Sequence, residues 1–436
     1  MFERFSCVCL AVFCFALALV APRAEARELK LGIEAYFAGQ ARTWGPSVVN
    51  PNNSVLHVPD SSFDSDLRPE LKFSNEVTRI VVRPRFVFDS ANWTEGAPAV
   101  KKQNSEGRLN LTDAYVENRF SDSLRLVTGL EVYQWGPAEL YNASNPLFHL
   151  STIGRSAFFK EKGQVLLRLS GDVTLGESGG GGSSGGAAGN QWSNMLILNP
   201  LPNNEPQWQA DGQFSAGGFV KSELRSQDGA SSLGGLAGTQ PDGRRFFGEY
   251  GTLAFSSGWS IYLDARHPLG TRRYLPQASI SGDLETLQTS DRLSSLALAG
   301  VRWEGRVDAR LEYFYNSDGL SAAEFKSSLD TLRALSPNSP VNLARFLQPG
   351  LEIYGQHYLY ASVRVPDLGH AKDISVSARV LGALQDGSSL LQASFEKPWS
   401  DSTVVLLEAD ATLGGDNQEL TMFDRSAAFA GLKWTL

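Results

Sequence analysis

Cysteine is confined to the start of this 436-residue chain, as Cys7, Cys9 and Cys14. Beyond them there is none, which excludes a disulfide framework and a thiolate metal site in the remainder. Methionine (3) and histidine (5) are nearly as scarce, so no transition-metal centre and no cofactor is expected. After residue 26 no apolar run approaches the ~18 residues a helix needs to cross a bilayer. A helical membrane protein is thereby excluded. The formal charge of −8, from 39 Lys and Arg against 47 Asp and Glu, argues against a nucleic-acid partner. What the chain has instead is 42 glycines, 24 phenylalanines, 12 tyrosines and 9 tryptophans. Those are the residues of strands and turns.

The three cysteines lie in an apolar run, Phe5 to Ala21, preceded by Arg4 and followed by Ala24-Glu25-Ala26. This is the form of a secretory signal peptide cut after residue 26. No cysteine stands at a small-residue cleavage point, so a lipoprotein is excluded; the run is short for a membrane anchor. Residues 27–436 show no break in composition and read as one domain of 436 − 26 = 410 residues.

Apolar and polar residues alternate over much of that length. Leu29, Leu31, Ile33, Ala35, Phe37 and Ala41 share one face, and Lys30, Glu34, Tyr36 and Gln40 the other. Ile80, Val82, Phe86 and Phe88 likewise oppose Arg79, Arg83, Arg85 and Asp89. The period recurs in Leu124–Trp135, Phe247–Phe255, Trp259–Arg266, Arg306–Tyr315, Ile374–Leu384 and Val404–Leu413. A period of two places side chains on the two sides of a sheet. Many segments reach the roughly nine to eleven residues of a tilted membrane strand. Short links alternate with long polar connections at about Arg42–Glu70, Gly136–Gly163, Leu175–Ala210, Gly270–Asp291 and Asp318–Gly355. The expected fold is all-β: a transmembrane antiparallel barrel of about 16 strands, with 14 to 18 admissible, and long outer loops. Gly136–Gly163 and Leu175–Ala210 are consecutive and both long, which breaks that alternation. Either a strand is hidden near Gln191–Asn199 or one connection folds inward. Trp259, Trp303, Trp399 and Trp434 stand near strand ends, as interfacial girdle residues or as ordinary packing aromatics.

The last segment carries Ala428, Ala430, Leu432, Trp434 and Leu436 on one face. It resembles the C-terminal strand that the barrel-assembly machinery reads in Gram-negative outer-membrane proteins, ending in Leu436 where that pattern ends in an aromatic residue. Asp113-Ala-Tyr-Val-Glu117, Gly129-Leu-Glu-Val-Tyr-Gln-Trp-Gly-Pro137, Asn145-Pro146-Leu147 and Glu312-Tyr-Phe-Tyr-Asn-Ser-Asp-Gly-Leu-Ser321 resemble the large, mostly uncharacterised porin-like barrels of Gram-negative envelopes. The resemblance reaches loosely to the turn at Asp386-Gly-Ser-Ser-Leu390. It implies a barrel in the outer membrane and passive or facilitated transport, with outer-membrane lipid, the assembly machinery and a small-molecule solute as partners. Within it, Trp135-Gly136-Pro137 reads as a strand end, an interfacial ring followed by two residues that stop ladder pairing. A homo-oligomer is compatible with the family, although no interface feature stands out.

Arg79, Arg83 and Arg85 form a basic ladder on the polar face, with about 6.6–6.8 Å between alternate residues. In a barrel that face is the lumen. Either the ladder pairs with lumenal acids, or it forms an anion-attracting constriction. Asp264, Arg266, Asp308, Arg310, Glu312, Glu408 and Asp410 fall on faces also assigned inward and complete the candidate pore lining. The glycine tract Gly179–Gly182 with Gly185-Gly186 is a loop tip or a loop that enters the lumen; without a following Lys and Ser/Thr it is no phosphate cradle. Catalysis finds no support. His149-Leu150-Ser151 lacks the surroundings of the barrel phospholipases, a spacing of three puts Asp264 and His267 on opposite faces, and His357 and His370 stand in no motif. The expected function is an outer-membrane porin or solute channel for small hydrophilic solutes, anionic ones included, diffusing through a water-filled lumen. The alternative is a non-catalytic barrel component of envelope polysaccharide or protein assembly or export. A plug-bearing transporter is disfavoured, because the first strand starts at about Leu29.

Overall fold

A computed structural model describes residues 28–45, 47–50, 53, 58–92, 105–148, 163–175, 189–200, 217–240, 243–255, 257–271, 276–278, 284–286, 291–334, 353–368, 373–422 and 425–436. The strands are β1 (Glu28–Thr43), β2 (Ser61–Ser74), β3 (Thr78–Asn92), β4 (Ser105–Arg119), β5 (Leu124–Glu131), β6 (Gln164–Leu175) and β7 (Asn190–Asn199). They continue as β8 (Gly217–Arg225), β9 (Ser232–Thr239), β10 (Arg245–Ala254), β11 (Trp259–Pro268), β12 (Pro276–Ala278), β13 (Leu284–Thr286), β14 (Leu296–Glu304) and β15 (Asp308–Asn316). Helix α1 (Ala322–Ala334) precedes β16 (His357–Val365), β17 (Ser375–Ala383), β18 (Ser389–Ser400), β19 (Thr403–Leu413) and β20 (Ser426–Thr435).

All strands except the small β12–β13 hairpin form one 18-stranded antiparallel sheet. Each pairs with its neighbour in sequence, and β1 pairs with β20 from Glu34↔Thr435 to Thr43↔Ser426, which closes the barrel. Closure removes both sheet edges, so every ladder finds a partner without water. The strand count falls at the top of the expected range.

Register assigns the two faces. Leu29, Leu31, Ile33 and Phe37 of β1 stand beside Leu67 and Leu71 of β2, then Phe86 and Phe88 of β3, all exposed and all outward. An apolar surface of that extent is incompatible with water and matches lipid tails. The alternate residues, among them Glu34, Arg68, Arg83 and Arg85, face inward. The outward row of β2 is interrupted by Ser65 and Pro69, and the expected long loop 42–70 in fact contains most of this strand. Its β3 partner carries a register shift between Arg83 and Pro84. Proline offers no N–H to a ladder, and a bulge absorbs the gap.

The termini lie at one rim, with the short connections 75–77, 120–123, 226–231, 305–307 and 401–402. Trp259, Trp303, Trp399 and Trp434 all point outward near this rim, and the rings of Trp259 and Trp303 pair across β11 and β14 at 6.2 Å. The opposite rim carries most of the long connections, while those between β6 and β7 and between β16 and β17 belong to the rim of the termini. The hidden-strand expectation holds: β7 occupies Asn190–Asn199. The glycine tract at 179–186, between β6 and β7, lies outside the described residues.

Candidate functional site: the lumen and its inserted segment

Beyond Glu131 the chain leaves the β5 ladder and turns into the barrel. Gly136 makes the turn with φ 95°, and a side chain there would collide with Asp264 and Asn142. Pro137 follows without an N–H. Trp135 was expected as an interfacial ring; the structure corrects this. Its indole is buried inside the barrel, 5.4 Å from the Tyr133 ring and 5.7 Å from Phe219. The inward fold and the hidden strand, read from the sequence as alternatives, are both present.

Residues 132–148 reach the wall formed by β11, β15 and β16. Glu312 on β15 accepts the backbone N–H groups of Glu139 (2.8 Å) and Leu140 (2.7 Å), and the Tyr262 hydroxyl at 2.6 Å. Asp264 on β11 accepts the N–H of Ser144, and Arg266 donates to the carbonyl of Asn145 at 3.3 Å. Both carboxylates have no exposed surface. Two apolar clusters flank these anchors. Leu140, Tyr141 and Ala143 join Leu298, Phe314, Tyr358 and Tyr360. Trp135, Leu147 and Phe148 join Leu166, Ile197, Phe219 and Phe246. Burying Leu140 and Phe148 contributes roughly 3–6 kcal/mol between them, so the segment is a fixed part of the interior.

The wall of β2, β3 and β4 is built differently. Arg83 bridges Glu70 and Asp113, the latter at 3.0 Å. Arg85 reaches Asp66 at 2.7 Å, which also takes Arg68 at 2.6 Å. Arg79 stands 4.0 Å from Glu117. Of the two roles open to the ladder in the sequence, pairing is present. The side chains nonetheless keep an accessible edge: Arg79 is 46% exposed, Arg83 25% and Arg85 22%. A paired charge left half in water keeps part of its field for a passing ion.

The remaining candidates also face inward. Asp308 takes Arg302 at 2.7 Å and lies 3.7 Å from Arg310, which stands 3.2 Å from Glu139. Glu408 and Asp410 lie on β19 opposite Ser394 and Gln392. Sequence reasoning missed Asp66, Arg68, Glu70, Asp113, Glu139 and Arg379 as lumenal charges. Asp113 was quoted only as part of a family pattern, and Glu139 fell in a long connection to which no lumenal charge was assigned.

His267 bonds Glu249 at 3.0 Å on the outer face, away from Asp264. His357 also faces outward, bonded to Tyr313 at 2.6 Å. His149, Ser151 and His370 lie outside the described residues. Among the described residues no three His, Cys, Asp or Glu side chains converge as a metal site would need.

At the long-loop rim a third buried carboxylate ties connections together. Glu419, in a short turn between β19 and β20, accepts the N–H of Tyr354 at 2.6 Å, the Tyr358 hydroxyl, and the Gln385 amide at 2.6 Å. Its own N–H donates to Asp386 at 2.6 Å. Burial, with the nearby Asp386 charge adding to it, pushes the Glu419 carboxyl up to about 7.

No protein-family model matches the sequence, nor does any curated protein. Solved structures do match in shape. Wzi of Escherichia coli, described as an outer membrane protein involved in group 1 capsule assembly and a carbohydrate-binding β-barrel, aligns with 92% of this chain and 83% of its own, at 11% identity and a TM-score of 0.50. OccAB1 of Acinetobacter baumannii aligns over 95% of this chain and 97% of its own, at 8% identity and a TM-score of 0.50. At such identities the likeness concerns the fold, and the fold is that of the large outer-membrane β-barrels.

Proposed function

We propose that the chain is an outer-membrane channel through which small hydrophilic solutes, anions among them, diffuse without a catalytic step. The observation that carries this is the lumenal ladder of β2–β4, paired yet partly hydrated, beside an interior narrowed by residues 132–148. A wide barrel stripped to one charged channel selects by width and by field. Arg79, Arg83, Arg85, Arg266, Arg310, Asp264, Asp308, Glu312, Glu408 and Asp410 belong to this lining in two ways. The ladder arginines, Asp308, Arg310, Glu408 and Asp410 line the path of the solute; Asp264, Arg266 and Glu312 hold the inserted segment that sets the width. Residues 1–26 serve as the export signal.

The test is single-channel current from the refolded 27–436 chain in a planar bilayer under a salt gradient. Step-like conductance is expected. A folded barrel that stays silent overturns the channel and favours the assembly or export role, which the two apolar clusters across the lumen and the Wzi-like shape support.

A further inference from the structure

Glu139 uses its two ends for different purposes. Its backbone N–H binds Glu312, and its side chain points along the wall toward β15–β17. There the carboxylate accepts hydrogen bonds from the Tyr360 hydroxyl at 3.0 Å and the Ser362 hydroxyl at 3.1 Å. The Nε of Arg310 lies 3.2 Å away and that of Arg379 3.5 Å. Two guanidinium groups from two strands and two hydroxyls from a third thus converge on one carboxylate. Such a donor set is what an anion with two acceptor oxygens requires.

This cradle differs from the sites of Asp264 and Glu312 in one respect. Those carboxylates are wholly buried, whereas Glu139 is 21% exposed and Arg379 33% exposed. The inserted segment does not depend on the Glu139 side chain for its position. Backbone groups of residues 139, 140, 144 and 145 hold it to Glu312, Asp264 and Arg266. The Glu139 carboxylate can therefore swing out while the segment stays.

We infer that Arg310, Arg379, Tyr360 and Ser362 form a carboxylate-binding site, and that Glu139 is a built-in occupant which a carboxylate solute displaces. The inference deepens the channel function proposed above and rests on it for the solute's passage, but the binding itself requires no conduction. An internal occupant weakens apparent affinity by the fraction of time the site is free. An occupant in place nine-tenths of the time costs about tenfold.

The experiment is calorimetric titration of gluconate into the detergent-folded barrel, with sorbitol as the comparator that lacks only the charge-bearing carboxylate. Glu139→Gln and Glu139→Ala are each expected to lower the gluconate Kd by about tenfold and to leave sorbitol unchanged. Adding Arg310→Gln and Arg379→Gln to either variant is expected to abolish the gain. The inference is overturned if both Glu139 variants bind gluconate as the parent does, if sorbitol gains equally, or if the gain survives loss of both arginines. Using two Glu139 variants, checked for heat-modifiable gel mobility, guards against one that fails to fold. Conductance of the same preparations separates the two ideas. A silent barrel with the gain refutes the channel and keeps the site; a conducting barrel without it does the reverse.

Discussion

The two sides of the lumen use the same residue types to opposite ends. On the β2–β4 side, carboxylates meet arginine side chains, and the ladder arginines stay partly in water although Asp66 and Asp113 are buried. On the β11–β15 side, Asp264 and Glu312 meet backbone N–H groups of residues 139–144 and lose all exposure. A hydrated ion pair contributes little to stability, about 0–1 kcal/mol. A buried carboxylate bonded to several N–H and O–H groups holds its partners far more firmly, because losing it strands each donor at about 1–3 kcal/mol. One wall is thus suited to field and contact with solute, the other to fixing shape.

The sharpest way to break this contrast is Glu312→Ala. It strands two backbone N–H groups and the Tyr262 hydroxyl, an aggregate of several kcal/mol. The segment is expected to detach and hydrate rather than bear that cost. Limited proteolysis of the folded barrel should then cut within 132–148, and conductance should rise severalfold, with the barrel's heat-modifiable mobility kept. An uncut segment would show that the apolar clusters and Asp264 hold it without Glu312.

Glu419 extends the comparison to a carboxylate outside the membrane strands. Its folded pKa, raised to about 7, lies above the ~4.3 of an exposed glutamate. Linkage then gives stability that is fully present below about pH 4 and is lost as pH rises through 7. The connections joined at Tyr354, Gln385 and Glu419 should loosen between those limits, read as faster proteolytic nicking at the long-loop rim at pH 8 than at pH 5. Glu419→Gln should flatten this dependence. A rim equally resistant at both pH values, in parent and variant, counts against it.

How much of this was legible follows the same division. The outward rows of β1 and β20 alternate cleanly because lipid imposes one chemical demand on every second residue. β9, Ser232–Thr239, offers glycine on both faces, so no period shows; its Gly234 lies under the ring of Tyr250, a contact between strands that no local pattern encodes. β2 hid for another reason, since Ser65 and Pro69 interrupt its outward row. The Arg ladder was visible because its members are separated by two or four residues and so share one face. Its partners Glu70 and Asp113 were not, because cross-strand pairing depends on register. That one of two long connections folds inward was an open alternative in the sequence, but which wall it meets shows only in the 173-residue jump from Glu139 to Glu312.

A smaller disturbance belongs to the segment's entry. Gly136→Ala puts a methyl group against Asp264 and Asn142 at a positive φ. The strain of a non-glycine residue there is of order 1–3 kcal/mol, less than the loss of Glu312 entails. The expected outcome is a barrel that folds normally and whose conductance fluctuates among sublevels as the segment shifts. A single steady level equal to the parent's would show that the turn relaxes without moving the segment.

Neutralising Arg79, Arg83 and Arg85 together should have its clearest effect on function. Each arginine is partly hydrated; of the carboxylates left behind, Glu70 keeps the Lys72 ammonium and Asp66 keeps Arg68, while the buried Asp113 loses its guanidinium partner. Thermal stability of the triple glutamine variant should therefore fall chiefly through Asp113, and Arg79→Gln with Arg85→Gln alone should change it least. The field along β2–β4 changes more, because Asp66, Glu70 and Asp113 then face the lumen without their arginines. The reversal potential in a salt gradient should shift toward cation selectivity, the more so at low ionic strength, where screening is weakest. An unchanged reversal potential would place the conduction path away from this wall, and the difference between the two sides of the lumen would then be one of packing alone.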